Sequence, residues 1–157
     1  MRQVLALVGV TLAAWTTPGN DLPKAAREAF EKAAEFELYS LDPDRGEGTE
    51  KGPDVFHGWK VLGKTTVKGD SVPLVRDAVE KGRKESDGAV AGCFLPRHGL
   101  RFTQDKKTYD LVLCFECLSA QVFEGETQIG RFLTSASPLK PLNKVLRDAK
   151  VPLPRQN

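Results

Sequence analysis

The longest β-like segment of the sequence, Thr108 to Phe123, constrains the fold most strongly. It is rich in apolar side chains and follows a polar turn at Gln104 to Lys107. Further apolar runs lie at Ala89 to Leu95, at Leu100 to Thr103 and at Ile129 to Leu133. Short polar turns between such runs are typical of antiparallel strands. We therefore expect an antiparallel meander in the second half of the chain.

Three amphipathic helices are predicted around these strands. The first begins at Asp21 to Pro23, because Asp can cap a helix and Pro is tolerated in its first turn. The second follows Asp70 and the third follows Ser137-Pro138, each with apolar side chains at helical spacing. Between the first two helices, Phe36 to Leu41 and Phe56 to Lys68 alternate like strands. The predicted fold is α+β, an antiparallel sheet of about five strands with three amphipathic helices packed mainly on one face.

The strand predicted over Phe56 to Lys68 has a marked alternation. Its apolar parity contains Trp59, Val61, Thr65 and Val67, whereas Lys60, Lys64 and Lys68 share the other parity. Because successive side chains of a strand point to opposite faces, this pattern predicts one buried and one solvated face.

The first nineteen residues are typical of a secretory signal peptide. Arg2 supplies a positive charge, and Val4 to Trp15 is a run of twelve uncharged residues, the length of a signal h-region. A membrane-spanning helix would need about 20 apolar residues. Thr17-Pro18-Gly19 offers small residues for cleavage after Gly19. We predict a signal peptide over 1–19 and a single domain over 20–157. The mature chain is expected to be extracytoplasmic, periplasmic or secreted, without a transmembrane anchor; the alternative is a buried N-terminal element of a cytosolic protein.

Two further features concern partners. The 42–54 segment is rich in Gly, Asp, Glu and Pro, a composition that predicts a mobile loop, and the neighbouring His57 is predicted to lie at the surface. The chain has 23 Lys and Arg against 21 Asp and Glu, so its formal charge of +2 gives no basic footprint for nucleic acid. One hypothesis is a protein-interaction domain of the cell envelope, with Trp59 and this loop as its contact surface.

All three cysteines and one of the two histidines belong to the hairpin that turns at Gln104 to Lys107. With that turn, Thr103 faces Thr108, an acceptable cross-strand pair. The same register continues along the strands and pairs His98 with Leu113.

Beyond that pair, Pro96 favours an irregularity, because it has no N–H to donate to a ladder and occurs at bulges. One extra residue would move Cys93 from its place opposite Leu118 to a place opposite Cys117. The groups expected within one small patch are Cys93, His98, Cys114 and Cys117.

Three interpretations of this patch remain open. In the first, the four side chains bind zinc as the candidate cofactor, which suits three thiolates and an imidazole but requires a knuckle or bulge at Phe115-Glu116. In the second, an oxidising compartment gives one disulfide and leaves one thiol, by Cys93–Cys117, Cys93–Cys114 or Cys114–Cys117 pairing. In the third, the cysteines pack as small apolar side chains.

The leading functional hypothesis is a small exported binding module whose hairpin holds zinc or a disulfide. The alternative is a thiol-dependent enzyme or redox protein that uses Cys114 or Cys117 with His98. No catalytic residues are assigned, because the common hydrolase, metalloprotease, phosphate-loop and dinucleotide signatures are absent. Arg97 and Glu116 are expected to support the patch as a polar pair, since a buried acid needs a partner.

Two motifs resemble a pattern in a group of uncharacterised exported bacterial proteins. They read Cys-Phe-Leu-Pro-Arg-His-Gly-Leu over 93–100 and Asp-Leu-Val-Leu-Cys-Phe-Glu-Cys over 110–117. The pattern of the group runs Cys-Phe-x-Pro-Arg-His-Gly, then Asp-Leu-Val-x-Cys-Phe-Glu-Cys. The likeness extends through 37–43, 58–63 and 151–153, most of the predicted mature chain. The resemblance implies a bacterial, extracytoplasmic protein and implies no particular activity.

Overall fold

The computed structural model describes residues 21–44 and 52–154 of the chain. Within them, the helices are α1 (Lys24–Lys32), α2 (Ser71–Lys84) and α3 (Leu139–Asp148). The strands are β1 (Phe36–Leu41), β2 (Val55–Phe56), β3 (Trp59–Val67), β4 (His98–Gln104), β5 (Lys107–Cys114), β6 (Ser119–Glu124) and β7 (Thr127–Leu133). They form one antiparallel sheet in the order β2-β3-β1-β4-β5-β6-β7, and this sheet is a half-barrel.

The predicted architecture, about five strands with three helices packed mainly on one face, is wrong, because the sheet is a seven-stranded half-barrel. The Thr108 to Phe123 run is divided into β5 and β6 by a turn over residues 115–118. The Phe56 to Lys68 run is divided into β2 and β3 at His57-Gly58. Leu118 and His57 have positive φ angles of 53° and 47°. Such angles are uncommon for residues other than glycine. A pattern of apolar residues carries no information about them, and the two runs were therefore each interpreted as one strand.

One large apolar core joins the helices to the sheet. The rings of Phe30 of α1, Phe36 of β1 and Phe102 of β4 contact one another, with centroids of each pair 5.3 to 5.9 Å apart. Val75 of α2 and Leu146 of α3 are fully buried in the same core. Burying one such side chain stabilises a fold by about 1.5–3 kcal/mol. This core fixes β4, the strand that leads back toward the cysteines.

A bulge in β3 directs the first part of this strand to a second, smaller core on the opposite face of the sheet. The pairing of β1 with β3 shifts by one residue between Ser40 and Leu41, which leaves Leu62 as an extra residue. Trp59 therefore joins the second core, while Val67 on the other side of the bulge joins the first. The prediction of one buried face for this strand is wrong. The second core contains Tyr39, Leu41, Phe56, Trp59, Val112 and Phe123.

Two of the predictions concern residues that the structure does not describe. The signal peptide over 1–19 lies outside the described residues, and the 42–54 loop is described only at 42–44 and 52–54. Among the described helices, none combines the length and the apolar character that crossing a membrane would require.

Candidate functional site

The β4–β5 hairpin has the predicted register. Thr103 pairs with Thr108, and the ladder continues without a shift to His98, which pairs with Leu113. The register prediction is confirmed because a tight turn at Asp105-Lys106, with both residues at positive φ, sets the pairing of every residue behind it.

Beyond the regular ladder, residues 91–97 follow the end of β5 and its turn as an irregular segment that bends at Gly92. Arg97 N donates to Leu113 O at 3.3 Å, and Ala91 N donates to Cys117 O at 3.2 Å. The strand predicted over 89–95 is absent from this part of the described chain, because these bonds are too irregular for a ladder. The segment nevertheless carries Cys93 to a position beside Cys117.

The three sulfur atoms form a compact cluster at this point. Cys114 and Cys117 form a disulfide across the turn between β5 and β6, with Cα atoms 5.1 Å apart. Cys93 Sγ lies 4.0 Å from Cys117 Sγ, and Leu95 N donates to Cys117 Sγ at 3.3 Å. Cys114 and Cys117 are buried, whereas Cys93 is exposed and is the free cysteine. A partner in solution can therefore reach the cluster through Cys93.

The fourth predicted member of the patch, His98, lies elsewhere. Its ring is fully buried, and Nε2 is 2.8 Å from Asn143 Oδ1 of α3. It packs 5.3 Å from the ring of Phe115, measured between centroids. Burial lowers the pKa of His98 to about 4, although the bond to Asn143 opposes the shift. At neutral pH this imidazole is an uncharged core residue.

The structure thus divides the predicted zinc ligands. Cys93, Cys114 and Cys117 converge, while His98 is directed at α3. Within residues 21–44 and 52–154, no group of three or more His, Cys, Asp or Glu side chains is placed to hold a metal ion. Zinc binding by these residues stays a prediction.

Arg97 and Glu116 are in contact beside the sulfur cluster. Arg97 donates from Nε and Nη2 to Glu116 Oε1 at 3.1 and 2.9 Å. The Arg97 side chain is 7% exposed and that of Glu116 is 53% exposed. This ion pair connects the irregular segment, which carries Cys93, to the 115–118 turn, which carries Cys117. It therefore helps to keep these two cysteines close together.

A second polar cluster, which the sequence reasoning missed, surrounds the buried carboxylate of Asp110. Arg101 donates from Nε to Oδ1 at 2.8 Å and from Nη2 to Oδ2 at 2.7 Å. His57 Nε2 also donates to Oδ2, at 2.6 Å. Burial alone would raise the pKa of Asp110, but the hydrogen bonds from Arg101 and His57 outweigh it and hold that pKa below its ordinary value. The prediction of a surface position for His57 is wrong, because its side chain is 4% exposed.

The β2–β3 hairpin brings His57 to this cluster. His57 and Gly58 have φ angles of 47° and 85°, as a tight turn of the primed type requires. The His57 ring stacks on Phe123 with centroids 3.8 Å apart. Phe56 lies over Gly99, where an added Cβ would be 2.6 Å from the ring. The cluster therefore fastens the hairpin to the sheet, and Gly99 of the first motif provides the space for it.

Two signals in the sequence could have indicated this cluster. Asp110 is an acid within the otherwise apolar run of β5, and a buried acid needs partners. Gly58 lies between two aromatic residues, Phe56 and Trp59, at the spacing of a two-residue hairpin turn. Neither signal identifies His57 as the partner, because that contact joins residues 53 positions apart.

Comparisons of the chain with known protein families, with curated proteins and with solved structures find no match. The functional argument therefore depends on the geometry of the site alone.

Proposed function

We propose that this chain is a disulfide-stabilised extracytoplasmic module whose three cysteines carry out thiol–disulfide exchange. One observation carries the proposal: Sγ of Cys93, an exposed residue, lies 4.0 Å from Cys117 Sγ, which is already bonded to Cys114. Exchange needs a thiolate with access to a disulfide sulfur. The short approach supplies this access inside the protein, where the disulfide itself is buried.

The internal step moves the disulfide without net oxidation. The Cys93 thiol releases its proton to solvent, and the thiolate attacks Cys117 Sγ. A Cys93–Cys117 bond forms, the Cys114–Cys117 bond breaks, and the electron pair leaves on Cys114 Sγ, which takes up a proton. His98 has no part in this step, because its ring faces Asn143 on α3.

The external step involves a partner dithiol. Its first thiolate attacks Cys93 Sγ, which forms a mixed disulfide and releases the thiolate of Cys117. Its second thiolate then attacks the partner's own mixed-disulfide sulfur and releases Cys93. The partner loses two electrons and two protons and becomes a disulfide, and this chain gains both. A partner disulfide that reacts in the reverse direction reoxidises the chain.

Two serine variants test the internal step. In Cys114→Ser, Cys93 and Cys117 remain, and we expect them to form a disulfide when oxidised glutathione is added. In the matched variant Cys117→Ser, the remaining Cys93 and Cys114 are expected to form no bond to each other, because Cys117 is the sulfur within reach, and the exposed Cys93 is expected to carry glutathione instead. Alkylation under native conditions followed by peptide mass spectrometry distinguishes the two. Circular dichroism checks folding, and the corresponding alanine variants replace any serine variant that unfolds. Folded Cys114→Ser without a Cys93–Cys117 disulfide, whether its two cysteines are free thiols or glutathione adducts, would overturn the proposal.

Zinc binding by the reduced cluster is a second candidate, favoured by the same sulfur separation. Two thiolates bound to tetrahedral zinc at about 2.3 Å lie about 3.8 Å apart, close to the 4.0 Å between Cys93 Sγ and Cys117 Sγ. Elemental analysis after reduction and addition of zinc tests it. About one equivalent is expected, with loss of zinc in Cys93→Ser and retention in His98→Leu. Less than about a tenth of an equivalent in the reduced wild type would rule it out.

The extracytoplasmic location and a partner in the cell envelope are parts of the same proposal. Their support is the pattern of residues 1–19 and the presence of a disulfide, since disulfides persist in oxidising compartments. A fusion of the chain to a reporter enzyme that is active only after export tests the location. Activity that disappears on deletion of residues 2–19 is expected, and equal activity without them would contradict it.

A further inference from the structure

The two longer helices, α2 and α3, are in contact at one end and separate at the other. At the closed end, Ser135 N donates to Gly82 O at 2.8 Å, and a Cβ added to Gly82 would lie 2.4 Å from Pro138. The end of α2 thus meets the start of α3. At the other end, the first turn of α2 and the last turns of α3 line a cavity of about 590 Å³. The two helices therefore run antiparallel, with the cavity between them.

We call this cavity the helix groove. Its floor is Thr65 and Val67 of β3, and its walls are Ser71 and Leu74 of α2 and Val145 and Asp148 of α3. Thr65 and Val67 pair with residues of β1 that belong to the large core, so they point to the face of the sheet that the helices cover. Within residues 21–44 and 52–154, β3 pairs with only one strand after Lys60. The helix groove therefore lies at an edge of the described sheet.

The inner part of the helix groove is apolar. Leu74 lies one turn further along α2 than Ser71, toward the contact at Gly82, and is 61% exposed. Pro141 and Val145 of α3 line the same part from the other side, and Val145 packs on the large core. Ligand sites are typically cavities of roughly 300–1,000 Å³ with mainly apolar walls, often between helices. The helix groove therefore has the size and the surface of a site for an apolar chain.

The outer part of the helix groove carries polar and charged side chains. Lys68 and Ser71 lie there at the start of α2, and Lys144 and Asp148 lie on α3. Lys144 is paired with Asp148 at 2.5 Å, whereas Lys68 contacts Glu35, outside the groove, at 3.4 Å. The side chains of Lys68 and Glu35 are 70% and 61% exposed, so their pair adds little stability and a ligand can exchange for it. The outer part therefore offers a lysine and a hydroxyl to an anionic group.

We propose that the helix groove binds a fatty acid, with its hydrocarbon chain between Leu74 and Val145 and its carboxylate at Lys68 and Ser71. The charged side chains that line the groove are two lysines and one aspartate, which favours a carboxylate over an ammonium group. This function goes beyond thiol–disulfide exchange, since it uses none of the three cysteines.

The length of the helix groove sets the length of the chain. Its lining on α3 extends from Pro141 to Ala149, which is about 12 Å at about 1.5 Å per residue. This is somewhat shorter than the roughly 15 Å that acyl chains span in one leaflet of a membrane. Because each buried methylene group adds to affinity, a chain that fills this length should bind more tightly than a shorter one.

Calorimetric titration of the wild-type protein with octanoate, decanoate and dodecanoate, each below its critical micelle concentration, tests the proposal. We expect saturable binding at a single site, with a dissociation constant that falls several-fold for every two added methylene groups. Decyltrimethylammonium, which has the chain length of decanoate and the opposite charge, should bind several-fold more weakly than decanoate. Absence of saturable binding by dodecanoate, or equal affinities for these two matched ligands, would overturn the proposal.

A pair of glutamate substitutions locates the hydrocarbon chain. Leu74→Glu places a charge in the apolar part of the helix groove and should weaken dodecanoate binding roughly tenfold. Val90→Glu, at an apolar side chain outside the groove that is 54% exposed, should leave the affinity unchanged. Circular dichroism checks folding, and Leu74→Ser replaces Leu74→Glu if that variant unfolds. Equal affinities of the two folded variants would contradict the placement of the chain in the groove.

A second pair of substitutions locates the carboxylate. Lys68→Glu should reverse the preference, so that decyltrimethylammonium binds more tightly than decanoate, because the charge beside Ser71 changes sign. Lys140→Glu makes the same change of net charge at an exposed residue outside the helix groove and should keep the preference of the wild type. The same preference in both variants would refute the placement at Lys68. Cys93→Ser should bind decanoate as the wild type does, so binding and thiol–disulfide exchange are tested independently.

Discussion

The two histidines of this chain show how differently one side-chain type is used on the two faces of one sheet. His98 projects into the large core, where Nε2 meets the neutral amide of Asn143. His57 lies on the opposite face, where Nε2 meets the carboxylate of Asp110. The side chain of His57 is 4% exposed, and His98 is fully buried. Burial alone therefore does not distinguish them.

The two histidines differ in the charge of the side chain that they contact: His98 contacts a neutral amide and His57 a carboxylate. An amide cannot compensate a buried positive charge, so burial dominates at His98 and lowers its pKa to about 4. On the other face, the carboxylate of Asp110 is itself held ionised by Arg101 and His57. The comparison teaches that a histidine inside a fold can be interpreted only after its partner across the sheet is known.

The largest effect is expected at the charged cluster. Asp110→Asn keeps the shape of the side chain but removes the charge that Arg101 and His57 share, which should cost about 3 kcal/mol of unfolding free energy. Urea denaturation measures the loss. The control is Glu37→Gln, which removes a partly exposed carboxylate bonded to Lys64 and should cost less than about 1 kcal/mol. Similar losses for both variants would show that the buried carboxylate of Asp110 stabilises the fold no more than the partly exposed one of Glu37.

The next effect is a pH dependence that belongs to His98. Its folded-state pKa of about 4 lies below the ordinary value of about 6.5. The unfolded chain therefore takes up a proton that the folded chain refuses, and stability falls as pH is lowered from about 6.5 to about 4. The loss approaches about 1.4 kcal/mol per pH unit within that range. His98→Leu should flatten this dependence, as measured by urea denaturation across the range.

The control for this prediction is Asn143→Ala. That change removes the hydrogen-bond partner and leaves the histidine buried, so the slope should persist. The carboxylates of Asp110 and Glu37 have lowered pKa values, so their contributions are lost only near or below pH 4. A slope that is identical in wild type and His98→Leu would show that another group causes it.

The smallest effect concerns backbone conformation at the two positions. His57 has a φ angle of 47°, which Asn tolerates better than Ala. We expect His57→Asn to be more stable than His57→Ala by about 1 kcal/mol. His98 lies within an ordinary strand. There we expect His98→Ala to be more stable than His98→Asn, because a buried amide needs hydrogen-bond partners. Thermal denaturation of the four variants tests both orders, and the same order at both sites would contradict this account.

Local sequence patterns predicted much of the framework but less of the site. The helical stripes, the strand over Phe36 to Leu41 and the β4–β5 register follow from spacing and turn residues, which act over a few positions. The split of the Thr108 to Phe123 run was missed, because residues 115–118 contain no Gly, Pro, Asn or Asp to mark a turn. The sequence analysis also failed to separate His98 from the cysteines. His98 pairs with Leu113, and the side chain of the next residue, Cys114, points to the opposite face of the sheet.

By itself, the sequence determined the register of the β4–β5 hairpin as far as His98, because the turn at Asp105-Lys106 sets the pairing of the residues behind it. The contact of Cys93 with Cys117 lies beyond that ladder, in the irregular segment. Only the tertiary structure decided which face each histidine occupies and which partner it meets. Asn143 is 45 positions from His98, and Asp110 is 53 positions from His57. Such contacts depend on how the helices and the β2–β3 hairpin pack on the sheet, and local spacing carries no information about that packing.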